Sequence, residues 1–396
     1  MTSLARAWTL GAVAVLLATQ VATAPVLSIG VGEPSGSVVE LQVGGREGVP
    51  TDASAAVLNV TVDAPQGDGF ATVWPCGEQR PLASNLNYHV GQTIANLVIA
   101  RLGTGGKVCI FVQTGTHVIA DVSGYFPAGS DYVPIINPVR LLDTRDGTGG
   151  VAGAVPSESV VELQVGGREG VPTDALAAVL NVTVDAPQGD GFATVWPCGE
   201  RRPPTSNLNF QTGRTIANLV VSRLGTGGKV CIFVQTGTHV IADVSGYFPA
   251  GSDYVAITNP ARVIDILSIL CPAIGCGPLY AFVELHVGGR QGVPTDASAA
   301  VLNVTVDHPQ GDGFATVWPC GEQRPLASNL NYHVGQTIAN LVIARLGTGG
   351  KVCIFVDPAI GARVIADVSG YFPAGSDYVP IINPVRLLDT RDGTGT

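Results

Sequence analysis

VVELQVGGREGVPTDASAAVLNVTVD, residues 38–63, decides how this chain is read. It returns with one change at 160–185, and again as FVELHVGGRQGVPTDASAAVLNVTVD at 282–307, each time 122 residues further on. Self-similarity at a fixed spacing is the signature of a repeat architecture. The second half of the phrase alternates: Ala56, Leu58, Val60 and Val62 fall on one face, and Val57, Asn59, Thr61 and Asp63 on the other. That two-residue period predicts a half-buried strand. The first half alternates too, with Val39, Leu41 and Val43 opposed by Glu40 and Gln42.

Working outward, further strands are expected at 70–74, 84–88, 93–102, 107–112, 117–126 and 139–143, with Gly103–Gly106 as a hairpin turn between two of them. The strands at 93–102 and 107–112 are apolar on both faces, so they need a second cover, and packing of one module on the next through this hairpin is expected. DVSGYFPAGSDY starts at Asp121, Asp243 and Asp367, copy three having gained two residues within 357–363. A period near 120 exceeds the roughly 20–50 residues of a solenoid unit or propeller blade and suits a domain with its own core. The expected fold is therefore all-β: three tandem disulfide-stapled domains, sandwich-like or small barrels, rather than blades of one closed ring. The boundaries fall at 25–133, 134–255 and 256–379. Residues 380–396 are then either the start of a truncated fourth module or a closing strand.

That last ambiguity comes from the phase of the repeat. PVRLLDTR stands at 138–145 and 384–391, and a decayed form, PARVIDIL, at 260–267. If each module ends with this strand, all three are complete. If each begins with it, copy one lacks the strand, and the C-terminal strand is free to fill that vacancy.

Among 396 residues, 13% are charged and 46% hydrophobic, which excludes a disordered chain. The 51 glycines, 27 prolines and single methionine favour turns and short strands. Net charge is −10 with three lysines, Lys107, Lys229 and Lys351. This balance argues against a nucleic-acid partner. Residues 1–24 read as a secretory signal: Arg6, an apolar run from Leu10 to Ala18, and the small-x-small motif Ala22-Thr23-Ala24. An uncleaved anchor running to about Ile29 is the rival reading, and no other membrane segment is expected. The chain is thus placed outside the cell, secreted or at the cell surface.

Eight cysteines agree with export. Cys76 and Cys109, Cys198 and Cys231, and Cys320 and Cys353 are each 33 residues apart, while Cys271 and Cys276 lie together in CPAIGC. Three long-range pairs and one tight loop form the simplest connectivity. No CxxC pair occurs, which disfavours zinc.

Catalytic motifs are absent: there is no HExxH, GxSxG or GxGxxG in strand–helix context. GTGGKV at 103–108 lacks the spacing of a phosphate loop. The histidines do not recur in all copies: His117 and His239 face Arg363, and His89 and His333 face Gln211. Asp121 with Asp143–Asp146 suggests oxygen ligands for calcium, but an Asp–Arg pair beside an Asp-Gly turn explains them better. No metal and no cofactor are expected. Trp74, Trp196 and Trp318, each two residues before a cysteine, are either packed on the disulfide or offered as platforms for sugar stacking. SNLN at 84–87, 206–209 and 328–331 presents Asn85, Asn87, Asn207, Asn209, Asn329 and Asn331 as candidate glycan ligands. NVT at 59–61, 181–183 and 303–305 matches the glycosylation sequon, but within predicted strands.

The phrases PVRLLDTR, AVLNVTV, GFATVWPCG followed by SNLN, TIANLV and HVIADVSGYF, spread over residues 38–396, resemble a β-repeat module of secreted actinobacterial proteins. The resemblance implies a non-catalytic extracellular module that begins with the RLLDTR phrase. This chain departs from it at Asp265-Ile266-Leu267 and in the added CPAIGC loop. The expected function is surface attachment or recognition without catalysis, with a cell-envelope glycan or a surface protein as partner. The alternatives are an accessory region of a secreted hydrolase and a structural spacer. A repeated aromatic groove would favour glycan binding, and a cleft of convergent acidic and histidine side chains an enzyme.

Overall fold

A computed structural model describes residues 32–267, 282–357 and 362–395. The N-terminal signal segment and the Cys271–Cys276 loop lie outside the described residues. Copy one supplies β1 (Val38–Gln42), β2 (Ala55–Asp63), β3 (Gly69–Pro75), β4 (Leu86–Tyr88), β5 (Ile94–Arg101), β6 (Lys107–Val112) and β7 (His117–Phe126). Copy two supplies β8 (Val133–Asp143), β9 (Ser159–Gln164), β10 (Ala177–Asp185), β11 (Gly191–Pro197), β12 (Leu208–Phe210), β13 (Ile216–Arg223), β14 (Lys229–Val234) and β15 (His239–Phe248). Copy three follows with β16 (Val255–Leu267), β17 (Phe282–His286), β18 (Ala299–Asp307), β19 (Gly313–Pro319), β20 (Leu330–Tyr332), β21 (Ile338–Arg345), β22 (Lys351–Asp357) and β23 (Arg363–Phe372), and β24 (Val379–Asp389) ends the series. Among the described residues there is no α-helix, only short 3-10 turns at Thr104–Gly106 and Thr226–Gly228.

The all-β expectation holds, but the three sandwich or barrel domains do not. The strands form six antiparallel four-stranded sheets set as the blades of a six-bladed propeller. Each repeat contributes two interleaved blades. In copy one, β4-β3-β6-β1 run from the axis outward in one blade and β5-β2-β7-β24 in the next. The 122-residue period therefore spans a pair of blades, about 60 residues each, which is why it is too long for a single one. The chain crosses between the two blades repeatedly, so neither could be cut out as a domain.

This interleaving also corrects the hairpin. β5 pairs with β2, and β6 pairs with β1 and β3, so the Gly103–Gly106 turn carries the chain from one blade to its neighbour. The crossing is tight: a Cβ on Gly103 would collide with the Cys76 backbone, and Gly105 and Gly106 sit at φ 70° and 74°. The half-buried reading of β2 changes for the same reason. All its residues but Asp63 are buried, because each blade is sandwiched between two others. The apolar second face of β5 has its expected cover: it meets β13, β20 and β21 of the other two copies at the axis.

The RLLDTR strand is the outermost strand of alternate blades. β8 pairs with β15, β16 with β23, and β24 returns to pair with β7 of copy one. The ring is thus closed by the C-terminal strand filling the vacant edge of the first copy. Prolines 134 and 138 fit this edge position, where a missing N–H breaks no ladder. Side chains lock the closure. Arg386 Nε donates to Asp121 Oδ1 at 2.7 Å, Arg140 to Asp243 at 2.7 Å and Arg262 to Asp367 at 2.9 Å. Burial pushes the carboxyls of Asp121, Asp243 and Asp367 up, and the facing guanidinium pulls against that.

Three disulfides, Cys76–Cys109, Cys198–Cys231 and Cys320–Cys353, join β3-type to β6-type strands within one blade, with Cα atoms 5.0 Å apart.

Candidate functional site

The pseudo-threefold axis organises everything that could bind a ligand. At one end Phe126, Phe248 and Phe372 pack with ring centroids about 6 Å apart, interleaved with Tyr132, Tyr254 and Tyr378. Each tyrosine reaches the next copy: Tyr132 Oη donates to the Ser245 carbonyl, Tyr254 to Ser369 and Tyr378 to Ser123. A Cβ at Gly124, Gly246 or Gly370 would strike those hydroxyls, which explains the glycine in each SGYF phrase. Beyond the tyrosines, Asp131, Asp253 and Asp377 form a ring, the sole group with metal-ligand geometry found among the described residues. Each backbone N–H of this ring donates to a carboxylate of another copy.

In the middle of the axis lies a cyclic amide network. Asn96 Nδ2 donates to Asn181 Oδ1 at 2.9 Å, Asn218 to Asn303 at 3.0 Å and Asn340 to Asn59 at 2.9 Å. The oxygens of Asn96, Asn218 and Asn340 accept the N–H groups of Leu219, Leu341 and Leu97. These six asparagines are at most 3% exposed and have their hydrogen-bonding groups paired across copies. Asn59, Asn181 and Asn303 are the sequon asparagines, so the sequons are sealed inside the ring.

The opposite end opens into a cavity of about 290 Å³. It is walled by the equivalent turns after β4, β12 and β20, with His89 and Gln92, Gln211 and Arg214, and His333 and Gln336 as its polar residues. Local chemistry holds these turns. Gln92 Oε1 accepts the His89 N–H and Gln336 Oε1 the His333 N–H, both at 3.0 Å. Because a backbone N–H can only donate, both amides must present their NH2 elsewhere. His89 Nδ1 lies 3.1 Å from Asp68 Oδ2, and His333 Nδ1 lies 3.2 Å from Asp312 Oδ2. Asp68 and Asp312 also accept the N–H groups of Val90 and Val334, and Asp190 that of Thr212; these bonds hold all three carboxyls below their usual range. With Nδ1 committed to the carboxylate, His89 Nε2 has no hydrogen-bond partner although it is shielded from solvent. Arg214 is exposed and makes no side-chain hydrogen bond or ion pair among the described residues.

The residues singled out from sequence fall elsewhere. Trp74, Trp196 and Trp318 are 5–6% exposed, packed with the cysteines, and their indole N–H groups donate to the carbonyls of Glu78, Glu200 and Glu322. They have little ring surface left for stacking. The ring contacts nearby are Arg80, Arg202 and Arg324 lying 3.6–3.8 Å over Phe111, Phe233 and Phe355. Asn85, Asn207 and Asn329 accept the N–H groups of Val73, Val195 and Val317 at 2.7 Å and are buried. Asn87, Asn209 and Asn331 accept from Ser84, Ser206 and Ser328, and Asn209 alone lines the axial cavity. Sequence reading missed Gln92, Arg214 and Gln336. The signal was available: position 92 reads Gln, Arg, Gln through the copies while position 89 reads His, Gln, His.

No family model matches the chain, and no curated protein matches it. Among solved structures, one described as "Life in the extremes: atomic structure of Sulfolobus Turreted Icosahedral Virus" is similar at 8% identity, covering 88% of this chain and 86% of that one, with a TM-score of 0.21. A likeness that low carries no argument about fold or function.

Proposed function

We propose that this chain is an exported, non-catalytic recognition protein that binds a polar ligand, a cell-envelope glycan, in the axial cavity. The observation that carries the reading is the convergence of three equivalent turns on one opening whose glutamine amides are oriented by backbone N–H groups. A preset array of donors with apolar walls (Val90, Phe210, Ile216, Val334) suits a hydroxyl-rich ring bearing both polar edges and C–H faces. Three disulfides, and the lack of any helix long and apolar enough to cross a membrane among the described residues, fit an extracellular setting.

Stoichiometry follows from the geometry. Three equal sites would act by avidity, whereas one axial cavity gives one ligand per chain. The test is capture of purified cell envelope and a glycan array by the oxidised full chain, followed by calorimetry on any hit. Saturable binding at one site supports the reading. No glycan bound, or turnover of a bound glycan, overturns it.

A further inference from the structure

We infer that the axial cavity selects an acidic saccharide, and that Arg214 is the residue that reads its carboxylate. The inference rests on the recognition reading above and adds the ligand's charge.

The cavity departs from threefold symmetry at two positions only a turn apart. Copies one and three place His89 with Gln92 and His333 with Gln336, while copy two places Gln211 with Arg214. Each arrangement supplies donors. The Gln92 and Gln336 NH2 groups are left free by the carbonyl bonds already described, and Arg214 adds an unpaired planar guanidinium, the geometry that takes a carboxylate by two parallel bonds. The acidic residues of the surrounding loops do not oppose this. Asp68, Asp190 and Asp312 are each engaged by loop N–H groups, with His89, Thr212 and His333 as further partners, and none of them lines the cavity. The acceptor counterpart is His89 Nε2, shielded and unpartnered, which a sugar hydroxyl can satisfy. An arginine cation, two amide donors and a histidine acceptor around one opening match a sugar ring carrying one carboxylate.

Copy two also supplies the control. Arg214→Gln installs the residue that copies one and three carry at this turn, so the fold accommodates it. The probes are trigalacturonate and its full methyl ester, which share a backbone and differ in charge, titrated calorimetrically into the full oxidised chain. The expected result is binding of the acid at least tenfold tighter than the ester, weakened by added salt. R214Q is expected to bring the acid down to the ester's affinity and leave the ester unchanged. Equal affinity for acid and ester, or an R214Q chain that still prefers the acid, overturns the inference while leaving glycan recognition standing. Binding of neither probe also overturns it, and recognition itself falls only if the envelope and glycan-array capture is blank as well.

Discussion

The blade closed by β16 and the two blades closed by β8 and β24 use the same arginine but different company. In the latter pair the phrase is intact. Arg145 and Arg391 chelate Asp143 and Asp389 from two residues away and reach Asp185 and Asp63 of the neighbouring strand at 3.3 Å. In copy three that arginine is Leu267, and Thr144 has become Ile266. The lost cation is replaced from across the ladder: Arg363, which stands where His117 and His239 stand, donates to Asp265 Oδ2 at 2.8 Å. His308, at the position of Ala64 and Ala186, pairs with Asp307 at 2.6 Å. The charge pattern of the closure has therefore been kept while the residues carrying it have moved, which teaches that the constraint lies on the strand edge and not on the RLLDTR phrase.

The comparison is broken most severely by removing a closing strand. A chain truncated after residue 378 exposes the edge of β7 and leaves the first blade open. It is expected to lose its cooperative thermal transition and to self-associate in analytical ultracentrifugation; an unchanged melt would show that the ring does not need closure. Next comes the shared arginine. Arg140→Met or Arg386→Met strands a carboxyl that is 1% exposed, an expected loss on the order of 3 kcal/mol in urea unfolding. Arg262→Met should lose less, because Arg262 is already 36% exposed. Equal losses at all three sites would erase the distinction drawn here.

The acid limb separates the blades more gently. Burial pushes Asp143 up, but Arg145 and Arg140 outweigh it and hold its carboxyl at about 2, below its ordinary 3.8. A depressed native value means stability that is present above pH 3.8 and disappears as pH falls toward 2. The stability gap between the native chain and Asp143→Asn should therefore shrink from pH 4 to pH 2, and a constant gap would refute the pairing. The smallest effect is expected from the migrated cation. Arg363→His lowers the melting temperature slightly, and adding Leu267→Arg, which rebuilds the pattern of the other copies, restores it. If the second change has no effect, the two positions are not exchanging one role.

Much of the fold was legible, and what escaped has a physical cause. Strand positions and the three disulfides follow from alternation and from the 33-residue cysteine spacing, both local or nearly so. Ring closure is not local: the partner of β7 is a strand more than 250 residues away, and β8 and β24 read identically in sequence. The glycine turn at 103–106 misled because a hairpin and a blade-to-blade crossing require the same permissive backbone. Asn59 and Asn96 read as the polar face of a strand, because alternation cannot distinguish solvent from an asparagine of another copy. The cavity was hidden for a related reason. Histidines that failed to recur in every copy were read as scattered, whereas on a threefold axis inequivalent residues from three copies meet at one opening.

The return of β24 to β7 sets an order on biogenesis. A strand made last completes a blade begun first, so the protein has no way to reach its final form while it is still being synthesised. Its contacts span nearly the whole sequence, which predicts slow acquisition of structure. For a polypeptide bound for export, that delay keeps the chain threadable until it has emerged whole.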